Sequence, residues 1–184
     1  KNDEMPVVKQ TFVKENHYRI ISPLSFHLAH GWSDVLYYWF AAITITVCLR
    51  KLIELEMDFD HVAYHALMTF FAIRFTTAIR WILCLFMKRP DIAMFMSCFA
   101  ELLMEGFNGV FVGPDDIIPE LAWGCYLNPM YYVYQGVFYN QNDEYGLPFD
   151  DWDLSSVVYF LIGVVVLMNT VVLMGLYYNH SYVI

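Results

Sequence analysis

Four charged side chains interrupt the long apolar runs of this sequence, and they are its clearest chemical signal. Arg74 and Arg80 lie in one run, and Glu101 and Glu105 lie in the next. A carboxylate in the middle of a membrane costs several kcal/mol unless it is paired or faces water. The two glutamates are four residues apart and therefore share one helix face. Such charges can pin two helices together, or they can line a polar path for a substrate or for protons.

The spacing of these charges predicts two ion pairs. The two runs are joined by a short Lys88–Pro90 link, so they are expected to form antiparallel helices. Arg80 precedes this link by about as many residues as Glu101 follows it, which places both side chains at a similar depth. The same count matches Arg74 with Glu105. We expect Arg80–Glu101 and Arg74–Glu105 pairs, and we favour a packing role for them over a transport role.

Other chemistry-bearing residues are scattered. His27 and His30 are three residues apart, and His61 and His65 are four apart, but no third ligand follows at a metal-site spacing. The cysteines form no Cys-x-x-Cys motif. A phosphate-binding G-x-x-x-x-G-K-[ST] loop is absent from the sequence. We therefore expect no metal, no cofactor, no ATP hydrolysis and no other enzymatic activity.

The charged residues lie in segments long enough to cross a bilayer, which takes about 20 apolar residues. The predicted spans are 28–49, 62–87, 91–112 and 157–178. The composition agrees, because 59% of the 184 residues are hydrophobic and only 16% are charged, which is too little charge for a soluble surface. The sequence predicts an all-α integral membrane protein with about four transmembrane helices, forming a single membrane domain over 1–184.

The remaining segments are assigned by charge and by helix breakers. Residues 1–27 are predicted to form an amphipathic arm. The 113–156 segment is acidic, and Pro119, Pro129 and Gly136 divide its apolar part into short re-entrant or interfacial helices. The positive-inside rule places both termini and the Lys88–Pro90 link on the inner side, and the acidic segment outside. No basic run offers a nucleic-acid footprint, so the bilayer and other membrane subunits are the expected partners.

Two stretches resemble the transmembrane domain of ABC-2 type transporters in the G subfamily, the white and pleiotropic-drug-resistance group. The first, over 12–35, is similar to that family's inner coupling segment. The second, over 107–140, is similar to the block F-x-G … I-P-x-x-x-W … Y-x-x-P-x-x-Y … G-x-x-x-N. It contains Phe107-Asn108-Gly109, Ile118-Pro119 with Trp123, Tyr126 with Pro129 and Tyr132, and Gly136 with Asn140.

The resemblance implies roles for individual residues. In the coupling segment, Glu15 and Tyr18 match the family's E-x-x-Y element, and Arg19, which follows it, belongs to the same segment. The wall of a drug cavity would contain Cys98, Leu102 and Glu105. A hydrophobic plug above it would contain Val110 and Phe111. An acid in that wall departs from a purely lipophilic drug path.

Two functions follow from these observations. In the first, the chain is the last four spans of a six-span G-type permease, and a nucleotide-binding subunit or upstream sequence supplies the ATPase. In the second, it is a non-transporting accessory subunit of a large respiratory or photosynthetic complex. The start at Lys1 instead of Met fits removal of a presequence or a cut from a longer chain. The membrane would be the plasma membrane or an organellar one, such as the mitochondrial inner membrane.

Overall fold

The architecture is a bundle of helices, seen in a computed structural model that describes residues 22–55, 57–87, 89–110, 113, 116–141 and 153–181. These ranges contain no strand. The helices, in chain order, are α1 (Pro23–Leu52), α2 (Phe59–Phe86), α3 (Pro90–Gly106), α4 (Pro119–Leu127), α5 (Pro129–Tyr139) and α6 (Leu154–Ser181).

Three of these helices, α1, α2 and α6, are long and apolar enough to cross a membrane. This confirms an all-α integral membrane protein. The predicted spans 28–49 and 157–178 lie wholly within α1 and α6, and α2 contains the predicted span 62–87 except for its last residue. Each helix begins before the predicted start. Residues 23–27, predicted to belong to the amphipathic arm, are therefore part of α1.

The predicted span 91–112 is too long at its carboxyl end. Helix α3 has 17 residues and ends at Gly106, so it is about 26 Å long, whereas the hydrocarbon core is about 30 Å thick. Gly109 has a φ of +77°, a conformation that glycine adopts readily and other residues rarely do. The chain therefore turns at Asn108–Gly109, where hydropathy alone predicts more helix.

Local sequence explains where the helices begin. Each of α1, α3, α4 and α5 starts with a proline at its first position, where the missing N–H costs no hydrogen bond. Ser22 caps α1 by accepting a hydrogen bond from the Ser25 backbone N–H at 3.1 Å, and Asp58 caps α2 through the Phe59 backbone N–H. Short helices α4 and α5 lie where the sequence predicts them.

Helix α2 is the centre of the bundle and packs against α1, α3, α5 and α6. The larger core cluster joins α2 to α4, α5 and α6, and its buried members include Met68, Phe71, Cys125, Tyr131, Tyr132, Val133, Val157 and Leu161. A Cβ at Gly136 of α5 would meet the Tyr64 hydroxyl at 3.0 Å and a Val157 methyl at 3.4 Å, so this glycine permits the close α2–α5–α6 contact. Many large apolar side chains on α1, α3 and α6 point outward, as expected for lipid contact.

Candidate functional site

The structure brings Arg80 and Glu101 together as an ion pair between α2 and α3. Arg80 Nε lies 2.5 Å from Glu101 Oε1, and Arg80 Nη2 lies 2.9 Å from Oε2. This is the two-point geometry that a guanidinium and a carboxylate favour. The side chains are 31% and 27% exposed, so the pair is partly screened.

The predicted Arg74–Glu105 pair is wrong. Arg74 instead donates from Nη2 to Asn169 Oδ1 on α6 at 3.3 Å, and its guanidinium carbon lies 5.9 Å from the centre of the Tyr38 ring on α1. Glu105 accepts a hydrogen bond from Asn108 Nδ2 at 2.7 Å. The two residues thus serve different neighbours.

Helix geometry explains this correction. Arg74 and Arg80 are six residues apart, which puts them about 120° apart around α2. Glu101 and Glu105 share one face of α3. A single neighbouring helix can meet only one of the two arginines, so α3 takes Arg80 and leaves Arg74 to α1 and α6.

A small cavity of about 30 Å³ lies beside Arg74 between α1, α2 and α6, and both polar and apolar side chains line it. The polar side chains in its lining include those of His27, His30, Asp34, Arg74, Thr77 and Asn169. The volume is sufficient for a water molecule. Arg74 thus lies near the Asp34 carboxylate and beside a cavity that can hold water, as a charge inside a membrane requires.

The predicted cavity-wall residues lie on a face of α3 with little cover from the chain itself. Cys98 is exposed, Leu102 is 71% exposed, and Glu105 is half-buried. This face is available to lipid or to another polypeptide. A cavity role for these three residues remains a prediction.

The turn after α3 is built around a buried asparagine. Asn108 Oδ1 accepts a hydrogen bond from the Val110 backbone N–H at 2.9 Å, while its amide nitrogen holds Glu105. Gly109 lies against Tyr131, since a Cβ there would come within 2.6 Å of the ring. Of the predicted plug, Val110 is 41% exposed, and Phe111 lies outside the described residues.

Asn128 connects two helices that are separated in sequence. Its Nδ2 donates to the Met104 carbonyl in the last turn of α3 at 2.7 Å. Its Oδ1 accepts from the Met130 backbone N–H at 3.1 Å and so caps α5. The sequence identifies Asn128-Pro129 as a helix break but does not reveal this bridge.

An apolar pocket of about 410 Å³ opens beside this bridge, between α2, α3 and α4. Its lining includes Phe75, Leu103, Phe107, Trp123 and Leu127. Gly124 of α4 faces the Phe107 ring, which a Cβ would approach to 3.0 Å. The described residues of the second motif block therefore form one structural unit, in which Gly124 of α4 and Asn128 at the start of α5 contact the end of α3.

Sequence reasoning missed Asn169 and Asn128, although both left a signal. Asn169 is one of two polar residues that interrupt the most apolar run, and that position calls for a partner within the bundle. Asn128 precedes Pro129, and asparagine before proline is typical of a helix cap.

The comparison with protein families matches the ABC-2 type transporter family over residues 4–142 of the 184. The chain belongs to that family. No curated protein matches the chain. The ABC-2 match includes α1 to α5 and the coupling residues Glu15, Tyr18 and Arg19, which lie outside the described residues. Helix α6 follows the matched region and packs against α1, α2 and α5.

Proposed function

We propose that this chain is a membrane-spanning part of a transporter permease, and that it belongs to the G subfamily of ABC-2 transporters. The family match over 4–142 carries the transporter assignment. The subfamily assignment is supported by the second motif block, because its spacings correspond to one interlocked unit: the turn at Gly109, the α4 helix, and the Asn128 cap.

In this proposal the energy for transport comes from a nucleotide-binding domain outside the present sequence, which has no phosphate-binding loop. Glu15, Tyr18 and Arg19 would receive the motion of that domain. Helix α2 would pass it to the other helices, because it contacts four of them. The Arg80–Glu101 pair would keep α2 and α3 moving together.

The cavity wall would consist of the exposed α3 face that contains Cys98, Leu102 and Glu105, facing a second polypeptide. Val110 and Phe111 would close the outer end. A carboxylate held at Glu105 favours substrates with a cationic or hydrogen-bonding group over wholly apolar ones, because a buried carboxylate needs a polar partner.

A labelling experiment tests the wall assignment. The experiment uses a variant in which alanine replaces the four native cysteines. Leu102→Cys is introduced into this variant, and Leu167→Cys on α6 is the matched control because Leu167 is also highly exposed. Native membranes are treated with ATP and vanadate, and maleimide labelling rates are measured. We expect a change of several-fold at position 102 and none at position 167. Equal rates with and without nucleotide at both positions would contradict a transport role.

The composition of the purified particle tests the transporter assignment against the accessory-subunit alternative. We expect an ATPase polypeptide in equal amount after extraction in mild detergent, unless the ATPase lies on the same polypeptide, in which case the full-length chain is larger than 21.6 kDa. Co-purification with respiratory or pigment proteins, and with no ATPase, would refute the transporter assignment and identify an accessory subunit.

A further inference from the structure

A second polar cluster lies at the other end of the bundle, where α1 ends and α2 begins. Arg50, in the last turn of α1, is completely buried. Its guanidinium donates to the His61 carbonyl at 3.4 Å and to Gln141 Oε1 at 3.3 Å. His65, one turn further along α2, is close enough to interact electrostatically with Arg50. We call Arg50, His61, His65 and Gln141 the outer cluster.

Three polar atoms of the outer cluster are buried without a hydrogen-bond partner: His61 Nδ1, His65 Nδ1 and Gln141 Nε2. Buried polar groups are nearly always paired, and leaving one unpaired destabilises the fold. The neighbouring His61 carbonyl is not available as a hydrogen-bond acceptor for these atoms, because it already accepts from Arg50 and from Asn140 Nδ2. Three such atoms in one cluster indicate a ligand.

The charges of the cluster select the ligand's sign. The Gln141 amide nitrogen is a donor only, and each histidine Nδ1 donates in one tautomer. Arg50 adds a permanent positive charge. His61 also lies in the first turn of α2, where the helix dipole favours an anion. A metal cation would lie beside the Arg50 guanidinium, which disfavours it.

We propose that the outer cluster binds one oxyanion, a phosphate group. The site lies on the side that the charge distribution predicts to be outside, so the anion would come either from the external solution or from the headgroup of an anionic lipid. This proposal stands independently of transport.

The test uses the full chain in nanodiscs, with thermal unfolding as the readout. In one arm, discs of neutral phosphatidylcholine are titrated with inorganic phosphate at constant ionic strength, with chloride as the balancing ion. In the other arm, phosphate-free discs contain increasing fractions of phosphatidic acid. We expect a saturable rise in the unfolding temperature in at least one arm. A rise in the first arm identifies a free anion, and a rise in the second alone identifies a lipid headgroup.

Two variants and a control keep the test specific. Gln141→Leu and His65→Phe each remove one unpartnered atom, and each should weaken binding roughly tenfold or more, as expected for a hydrogen bond to a charged group. His30→Phe is the matched control, because His30 lies at the opposite end of α1 against Phe26 and Trp81, and it should bind like the unmodified chain. No saturable shift in either arm, or an equal shift in the cluster variants, would overturn the proposal.

Discussion

At the scale of single residues, the Arg80–Glu101 pair should be coupled energetically. Glu101→Leu alone strands a guanidinium in a region of low dielectric. A fully buried pair would lose about 3–5 kcal/mol and an exposed one at most about 1 kcal/mol. Both side chains are about one-third exposed, so we expect Glu101→Leu to lower the free energy of unfolding by roughly 1–3 kcal/mol. Adding Arg80→Leu should restore most of it, as measured by reversible unfolding in bicelles.

Arg89 and Asp91 provide the matched control for this cycle. They also form an ion pair, but their side chains are 70% and 59% exposed. The Arg89→Leu and Asp91→Leu double-mutant cycle should therefore give a coupling energy close to zero. Equal coupling in the two cycles, or additive losses at Arg80 and Glu101, would show that the intramembrane pair does not hold α2 to α3.

Replacing Gly109 with any larger residue is predicted to destabilise the chain. Gly109→Ala places a Cβ at a φ of +77° and within 2.6 Å of the Tyr131 ring, which should destabilise the chain by roughly 1–3 kcal/mol. The control is Gly163→Ala, where a Cβ has open space inside α6 and should be neutral or stabilise by about 0.5–1 kcal/mol. Thermal unfolding of both variants checks the difference, and equal behaviour would contradict the turn geometry.

The residue scale also shows how far sequence reasoning reaches. Counting residues on both sides of the Lys88–Pro90 link gave the depth of each charge in the membrane, and depth alone was sufficient to predict the Arg80–Glu101 pair. It failed for Arg74 because depth is only one coordinate, and the rotation around α2 decides which neighbour a side chain meets. That rotation could be computed from the six-residue spacing, but the identity of the neighbour on the other face, Asn169 of α6, depends on tertiary packing.

At the scale of elements, Asn128 should act as a bridge as well as a cap. Asn128→Ser keeps a side-chain acceptor for the Met130 N–H but is too short to reach the Met104 carbonyl. Asn128→Ala removes both contacts. We expect the serine variant to lower the free energy of unfolding by about 0.5–1.5 kcal/mol. The alanine variant should lower it further, by about 0.5–2 kcal/mol. Limited proteolysis after α3 should follow the same order. Serine and alanine variants of equal stability would show that the cap contributes nothing.

Hydropathy predicted the long helices of the bundle well and the end of α3 poorly. Apolar runs report burial in lipid or core, and α1, α2 and α6 are apolar along most of their length. Past Gly106 the sequence remains apolar through Phe107, Val110 and 111–112, so a hydropathy profile continues the helix. The turn is specified by Asn108 and Gly109 instead, through a side-chain acceptor and a positive φ that a hydropathy average does not register.

At the scale of the whole molecule, the predicted topology places position 150 outside and position 181 inside. Helix α6 separates them and has 28 residues, about 42 Å, which is more than the bilayer core. Asp150→Cys and Ser181→Cys, each in the cysteine-free variant, should react with an impermeant maleimide from opposite sides of sealed vesicles. Labelling of both from one side would contradict the predicted topology.

The positions of the two arginines on α2 also restrict how this bundle can rearrange. Arg74 holds α6 and Arg80 holds α3, on faces about 120° apart, so α2 is tethered on two sides. Spinning α2 about its own axis would break both tethers, whereas tilting it would carry α3 and α6 along. We expect spin labels on α2 and α6 to keep the same separation in every state, with no change in which face of α2 points toward α6, because Arg74 joins the two helices. We therefore expect α2, α3 and α6 to tilt together, and we expect these contacts to oppose rotation of α2 about its own axis.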